Sequence, residues 1–261
     1  MPQCRSEAII KQGKDDAQPE RLRYGCKVCQ RQFGELTGTI FAGHHQPQQD
    51  TQNSSNSLHL IAEEAMATKQ IAIIQGHPDP AGNRFCHALA DAYSKGAESS
   101  GYEVKVINIA KIEFPILRTQ TDFDHGQAPE AIKQSQQIIQ SANHLVIIYP
   151  LWLGTMPAYL KAFFEQVFRP GFAATKNAGD KPWKKLFTGK TAHIVITMGM
   201  PAFAYRWYFM AHSLKSLERN ILGFCGIKTT QETLIGMVEA VNNEKRQRWL
   251  DKMELSGRVG K

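Results

Sequence analysis

Three loops rich in glycine, proline and hydrogen-bond donors follow short apolar runs, and each carries residues able to hold a ligand. The first, Gly76-His-Pro-Asp-Pro-Ala-Gly-Asn-Arg-Phe85, stands between the β-branched run Lys69 to Gln75 and a helix-like segment. At a helix start the backbone N–H groups lack intrahelical partners and the dipole is positive, so an anion is favoured there. His77, Asn83 and Arg84 add donors suited to a phosphate. The same residues also fit a ligand-free turn in which Asp79 caps the helix and Pro80 occupies its first turn. The loop matches neither the GxGxxG fingerprint nor the P-loop, which disfavours a dinucleotide-binding Rossmann domain.

The second loop, Tyr149-Pro-Leu-Trp-Leu-Gly-Thr-Met-Pro157, places Trp152 and Gly154 between two prolines. A stiff apolar loop with free backbone amides suits the edge of a planar heteroaromatic ring, although Leu and Trp at a strand end also serve as core. The third, Thr197-Met-Gly-Met-Pro201, precedes Phe203, Tyr205, Trp207, Tyr208 and Phe209. Aromatic density of this kind points to stacking against a ring or to an apolar interface.

The elements that must position these loops follow from periodicity. Lys69–Gln75, Tyr102–Ile109, His144–Tyr149, Ala192–Met198 and Thr229–Met237 have the composition of strands. Between and after them, Ala81–Ser99, Glu130–Gln140, Met156–Phe168, Trp207–Leu222 and Val241–Glu254 have helical spacing. Five strands joined through helices specify right-handed βαβ crossovers, hence a mostly parallel sheet covered on both faces, a three-layer α/β sandwich. In such sheets ligands bind beyond the carboxyl ends of the strands, where the three loops lie.

Charge and thiols bound the function. The 261 residues carry a net charge of +7, but residues 1 to 65 hold 7 Lys+Arg against 8 Asp+Glu, so the basic excess belongs to the larger C-terminal part. No run approaches the roughly 18 uninterrupted apolar residues of a membrane helix. The polar start predicts no secretory signal and a cytoplasmic address. Five cysteines, at 4, 26, 29, 86 and 225, are too few for a disulfide scaffold, and Cys86 and Cys225 read as buried structural thiols. Residues 46 to 57 hold almost only polar side chains, so a linker is expected over 46–66, a short helix over Leu58–Ala67, and a globular domain over 67–261.

From Lys69 to about Met237 the chain resembles the flavodoxin-like NAD(P)H:quinone oxidoreductase family. The matching pieces are His77 with its turn, Tyr149-Pro-Leu followed by Met156-Pro-Ala-Tyr-Leu-Lys-Ala-Phe-Phe-Glu-Gln-Val-Phe168, Thr197-Met-Gly199 with Tyr205 and His212 downstream, and Ile221-Leu-Gly-Phe-Cys-Gly226. The resemblance implies a flavodoxin-like αβα sandwich with a five-stranded parallel sheet. It implies that His77, Gly82, Asn83 and Arg84 hold the flavin phosphate region, that Pro150, Leu151, Trp152 and Leu153 line the isoalloxazine ring, and that Thr197, Met198 and Gly199 touch its edge. Tyr205 and His212 match the family's catalytic Tyr/His pair. The family's ping-pong cycle passes hydride from NAD(P)H through the flavin to a quinone at one shared pocket, and a tyrosine hydroxyl or histidine stabilises the negative charge that develops. FAD is the implied cofactor with FMN as the alternative, and a homodimer touching through Phe203 to Phe209 is the implied assembly. Lys181, Lys184, Lys185 and Lys190 are either attractors of the NAD(P)H phosphates or a solvated loop.

The first 45 residues resemble the N-terminal zinc ribbon of insertion-sequence transposases, in which two CxxC knuckles hold a tetrahedral Zn²⁺. Cys26 and Cys29 form one knuckle, whereas Cys4 stands alone because Met1 occupies the position three residues before it. His44 or His45 is the candidate fourth ligand. This mismatch suggests a truncated remnant joined to the enzyme, with Met66 the natural start of the flavoprotein part.

Two other functions compete. A DNA-binding or regulatory protein with a degenerate flavodoxin-like domain is disfavoured by the near-neutral N-terminal segment, since nucleic-acid binding depends on neutralising phosphates. An electron-transfer flavodoxin is disfavoured by the basic charge and the extra C-terminal third.

Overall fold

The computed structural model describes residues 9–14, 22–26, 32–34, 69–175 and 184–260. The chain divides into two compact units, Met1–Ala67 and Thr68–Lys261. In the first, strands Ile9–Lys14, Leu22–Cys26 and Gln32–Gly34 form an antiparallel sheet in that order. Of the proposed zinc ligands, Cys26 ends the middle strand, while Cys4, Cys29, His44 and His45 lie outside the described residues. The expected linker, the helix over Leu58–Ala67, Met66 and Lys181 also lie outside them.

The second unit is a flavodoxin-like α/β sandwich. Strands β1 (Gln70–Gln75), β2 (Glu103–Asn108), β3 (His144–Pro150), β4 (Thr191–Thr197) and β5 (Lys228–Ile235) pair in parallel in the spatial order β2-β1-β3-β4-β5. Ile73 stands opposite Val106 on one side and Val146 on the other, and Val146 opposite His193. The central strands read as unbroken apolar runs because both faces are covered. Side chains alternate between the faces. Ile71, Ile73, Val146, Ile148 and Val195 meet helices α1 (Phe85–Ser99) and α7 (Asn243–Val259) through Leu89, Tyr93 and Met253. Ala72, Ile74, Leu145 and Ile147 meet α3 (Glu130–Ser141), which follows the short α2 (Gln120–His125), and α4 (Ala158–Val167) through Ile132, Ile139, Leu160 and Phe163. Helices α1 and α7 cross closely at Gly96 and Gly257, where a Cβ would overlap the Glu254 and Tyr93 carbonyl oxygens respectively.

Several boundaries differ from the sequence expectation, among them the end of α7, at Val259 rather than Glu254. Helix α1 starts at Phe85 rather than Ala81, because Gly82 takes φ +72° and the turn continues through Asn83. Asp79 does not cap it. Its Oδ1 accepts the Ala81 N–H at 2.9 Å and its Oδ2 takes Arg84 Nε at 2.6 Å. The single helix expected over Trp207–Leu222 is two. Helix α5 (Ala202–Trp207) ends at Trp207, Met210 and Ala211 take φ +53° and +49°, and α6 begins at His212–Lys215, passes through a π-helical stretch at Ser216–Leu222 and closes at Gly223–Cys225. Left-handed backbone at two consecutive non-glycine residues cannot be read from propensity.

Candidate functional site

In a 2-1-3-4-5 sheet the strand order reverses between β1 and β3, and the crevice beyond their carboxyl ends is the usual ligand position. The loop after β1 and the loop after β3 meet there. The His77 ring packs edge-on against the Trp152 ring with centroids 5.7 Å apart. Gly76 lets the start of the first loop lie close against β3 and α4, since a Cβ there would meet Leu160 and Tyr149, and its N–H reaches the Ile148 carbonyl at 2.7 Å.

The first loop is held by its own side chains. The His77 N–H reaches Gln75 Oε1 at 2.9 Å, and His77 Nδ1 accepts the Asp79 N–H at 3.1 Å. Burial pushes the His77 imidazole below its ordinary pKa, and the neighbouring His87 adds to this. Asp79 is held below the usual carboxylate range by the Ala81 N–H and then by Arg84. Arg84 occupies the N-cap position of α1 but places no side-chain acceptor on its first N–H groups. A loop ending on a half-exposed guanidinium and an uncapped helix start is chemically suited to an anion.

The second loop is a tight reversal. Trp152 and Thr155 exchange backbone hydrogen bonds at 2.8 and 2.9 Å across Leu153 and Gly154, which take φ +47° and +79°. Two left-handed central residues make a primed hairpin turn, for which leucine is an unfavourable choice. The Leu153 side chain is fully exposed and Trp152 half-exposed, so this strained turn presents apolar surface to solvent instead of burying it. The Leu151 N–H reaches the Thr197 carbonyl at 2.7 Å, which fixes the turn against the end of β4.

The third loop is anchored at its base and open at Gly199. The Thr197 hydroxyl lies 3.2 Å from Cys86 Sγ, tying β4 to the first turn of α1, and burial pushes the Cys86 thiol up to about 11. Met198 is buried, whereas a Cβ added at Gly199 would meet nothing within 4 Å. Thus His77, Pro150, Leu151, Trp152, Leu153, Thr197, Met198 and Gly199 come to one end of the sheet, with Gly82, Asn83 and Arg84 on the loop that enters α1.

Tyr205 and His212 are placed differently from one another. Tyr205 is buried, its hydroxyl oxygen accepts the Leu214 N–H at 3.0 Å, and burial raises its phenol pKa. His212 is exposed at the first residue of α6. Around them Phe203, Trp207, Tyr208, Phe209 and Met210 stand exposed. The loop lysines divide: Lys184 and Lys185 are exposed on a two-residue strand, whereas Lys190 Nζ caps the last turn of α3 by donating to the Gln140 and Ala142 carbonyls.

One residue of the site escaped the sequence reading. His87 lies in the first turn of α1 with its ring 5.7 Å from that of His77. Its only sequence signal was the true start of the helix, four residues later than expected. Among the described residues no group of three or more His, Cys, Asp or Glu is arranged to hold a metal ion. Nor does any helix among them have the length and apolarity to cross a membrane.

A family model described as a flavodoxin-like fold matches residues 69–255. The chain belongs to this flavodoxin-like family. An uncharacterized NAD(P)H oxidoreductase of Haemophilus influenzae is 26% identical over 183 residues, covering 69% of this chain and 89% of that one. An FMN-dependent NADH:quinone oxidoreductase of Mycoplasma genitalium is 24% identical over 187 residues, covering 69% and 90%. Among solved structures, the NAD(P)H:quinone oxidoreductase from Methanothermobacter marburgensis superposes with a TM-score of 0.60 at 21% identity, covering 74% of this chain and 96% of that one. That likeness establishes the shared fold.

Proposed function

We propose that this flavodoxin-like protein is a flavin-dependent NAD(P)H oxidoreductase that reduces a quinone or a related flat acceptor. The observation that carries the reading is the meeting, at the β1/β3 reversal, of an anion-suited loop and a strained apolar turn joined through His77 and Trp152. The named activities of the Haemophilus and Mycoplasma relatives support it.

The residues fit a flavin. The uncapped start of α1 with Arg84, Asn83 and Gly82 suits a phosphate, and the open space above Gly199 with the exposed Trp152 and Leu153 suits a ring. When bound, the flavin supplies hydride acceptance from a reduced nicotinamide and two-electron delivery to the acceptor. The chain's own part is positional. Residues Pro150–Leu153 and Thr197–Gly199 would hold the ring edge, and the apolar turn would exclude water from the face where donor and acceptor alternate. We assign His212 to proton exchange with the reduced acceptor and Tyr205 to positioning it, because the Tyr205 hydroxyl fixes the turn of α6 from which His212 projects.

We assign FMN in place of the FAD implied by the family resemblance, on the name of the Mycoplasma relative. The exposed aromatic face from Phe203 to Met210 supports a homodimer, as contiguous apolar surface of this kind marks interaction sites. Buried free Cys86 and Cys225 suit the reducing cytoplasm, where NAD(P)H is available. No zinc role is assigned to Cys4, Cys26 and Cys29.

The test is steady-state kinetics with NADH or NADPH varied at several fixed quinone concentrations, combined with chromatography of the flavin released on denaturation. Parallel double-reciprocal lines and a released FMN support the reading. Intersecting lines, or protein that neither carries nor takes up flavin, refute it.

A further inference from the structure

Three hydroxyl groups converge inside the corner between α5 and α6. Tyr149, the next-to-last residue of β3, is buried, as are Tyr205 and Ser213, and the two tyrosines share one core with Ala211 and Leu214. The Tyr205 hydroxyl oxygen accepts the Leu214 N–H, which leaves its own hydrogen to be given elsewhere. The residue before Leu214 is Ser213. Burial raises the pKa of both phenols. At Tyr149 the Ser213 hydroxyl opposes that rise, and at Tyr205 the Leu214 N–H and then Ser213 oppose it, so the serine stands beside both phenols.

The cluster is not closed. Ser213 Oγ and the Tyr149 hydroxyl are both buried without a hydrogen-bond partner. Each can donate and accept, and native proteins seldom leave such groups unpaired. A buried hydroxyl without a partner forfeits its solvation, so a bond between these two is favourable wherever the backbone lets them meet. The backbone that decides this is the corner itself, where Met210 and Ala211 hold φ of +53° and +49° at the base of α6.

A bond between Ser213 and Tyr149 would join the two halves of the site. Tyr149 leads directly into Pro150–Leu153, the loop assigned to the ring, and Ser213 follows His212, the residue assigned to proton exchange. Tyr205, by contrast, ties α6 only to α5. We propose that Ser213 is a positioning residue for the acceptor half of the reaction: by bonding to Tyr149 during turnover it locks the corner of α6 onto the end of β3 and sets the distance of His212 from the ring-binding loop. This rests on the oxidoreductase reading and on the proton exchange assigned to His212. Ser213 is buried and acts through its neighbour, and a proton donor misplaced by about 1 Å can lose a large factor in rate. Because neither hydroxyl is paired in the folded chain, removing one takes no bond from it and leaves its stability intact. What is lost is the bond gained when the corner closes.

The experiment is stopped-flow absorbance of the flavin-loaded full-length protein, which reads flavin reduction by NADH or NADPH and flavin reoxidation by a quinone as separate steps. It is applied to Ser213→Ala, Tyr149→Phe and the double variant, with urea denaturation of each. Expected is reoxidation at saturating quinone slowed about fivefold or more in each single variant, and no further in the double variant, because both changes remove the same bond. Reduction by the nicotinamide and the urea midpoint should keep their parental values. Tyr149→Phe leaves the ring in the core, so it carries the test even where Ser213→Ala folds poorly. Unchanged reoxidation in the single variants, or losses that add in the double variant, overturns the proposal. So does a lowered urea midpoint with both steps slowed alike, the result a purely structural serine would give. Flavin of the unmutated protein that neither nicotinamide reduces overturns the oxidoreductase reading instead, and reoxidation unaffected by His212→Gln overturns the assignment of His212.

Discussion

The hydroxyl oxygen of Tyr205 accepts the backbone N–H of Leu214, nine residues further along the chain and across the break that separates α5 from α6. The bond spans two consecutive left-handed residues, Met210 and Ala211, whose backbone is unfavourable by itself and must be held from outside. A second clasp assists, from the Ala211 N–H to the Tyr205 carbonyl at 3.0 Å. Tyr205 thereby fixes the corner that presents His212.

Removing only that oxygen should expose the arrangement. Tyr205→Phe leaves the ring in the core but strands the buried Leu214 N–H, which costs about 1–3 kcal/mol. Urea denaturation should show that loss, and turnover should fall several-fold with little change in flavin content. A variant as stable as the parent would show that the corner does not depend on this bond.

Leu153 offers the opposite test. Its φ of +47° suits glycine, and its fully exposed side chain has no packing to lose, so Leu153→Gly should leave stability unchanged or raise it by up to about 1 kcal/mol. If the turn exists to meet an apolar acceptor, the KM for quinone should rise by about fivefold or more while kcat changes little. Unchanged KM would remove Leu153 from the acceptor site.

The exposed face carries a separate expectation. Trp207 and Tyr208 are about three-quarters or more exposed, so replacing both with glutamate should not unfold the domain. It should convert a dimer to a monomer in sedimentation velocity, because a charge on each side of a two-fold interface meets its own copy. A chain that sediments as a monomer before the substitution would contradict the assembly.

Acid should destabilise the fold through His144. It is fully buried at the start of β3, and burial pushes its pKa down to about 3, with Lys69 and His193 adding to the shift. The unfolded chain binds a proton near pH 6.5 and the folded chain does not, so the stability present above pH 6.5 is lost as pH falls toward 3. Between pH 7 and pH 4 this one group removes on the order of 3 kcal/mol. Denaturation midpoints should fall over that interval, and His144→Gln should flatten the slope. A slope unaffected by the substitution would place the acid sensitivity elsewhere.

Much of the fold is legible in the sequence because burial on both faces leaves a strong signal. Ile71 to Ile74 and Leu145 to Ile148 form unbroken β-branched or aliphatic runs, and the strands they predict are those observed. The three loops were also legible, since glycine and proline punctuate the strand ends. The helix boundaries were not. Arg84 is a poor N-cap by composition, and Met210 and Ala211 have no propensity for the backbone they adopt. Both misreadings have consequences at the site. A helix from Ala81 puts His87 in its second turn, away from the His77 ring beside which it lies, and a helix from Trp207 hides the corner that leaves Tyr205 buried and His212 exposed.

The most direct test of the central claim is the visible spectrum of the purified protein, reconstituted with FMN and followed anaerobically during stepwise addition of NADH or NADPH and then of a quinone. A flavin absorbance that bleaches with the nicotinamide and returns in full with the quinone is the result this account predicts. A bound flavin indifferent to both nicotinamides, or no bound flavin, would contradict it.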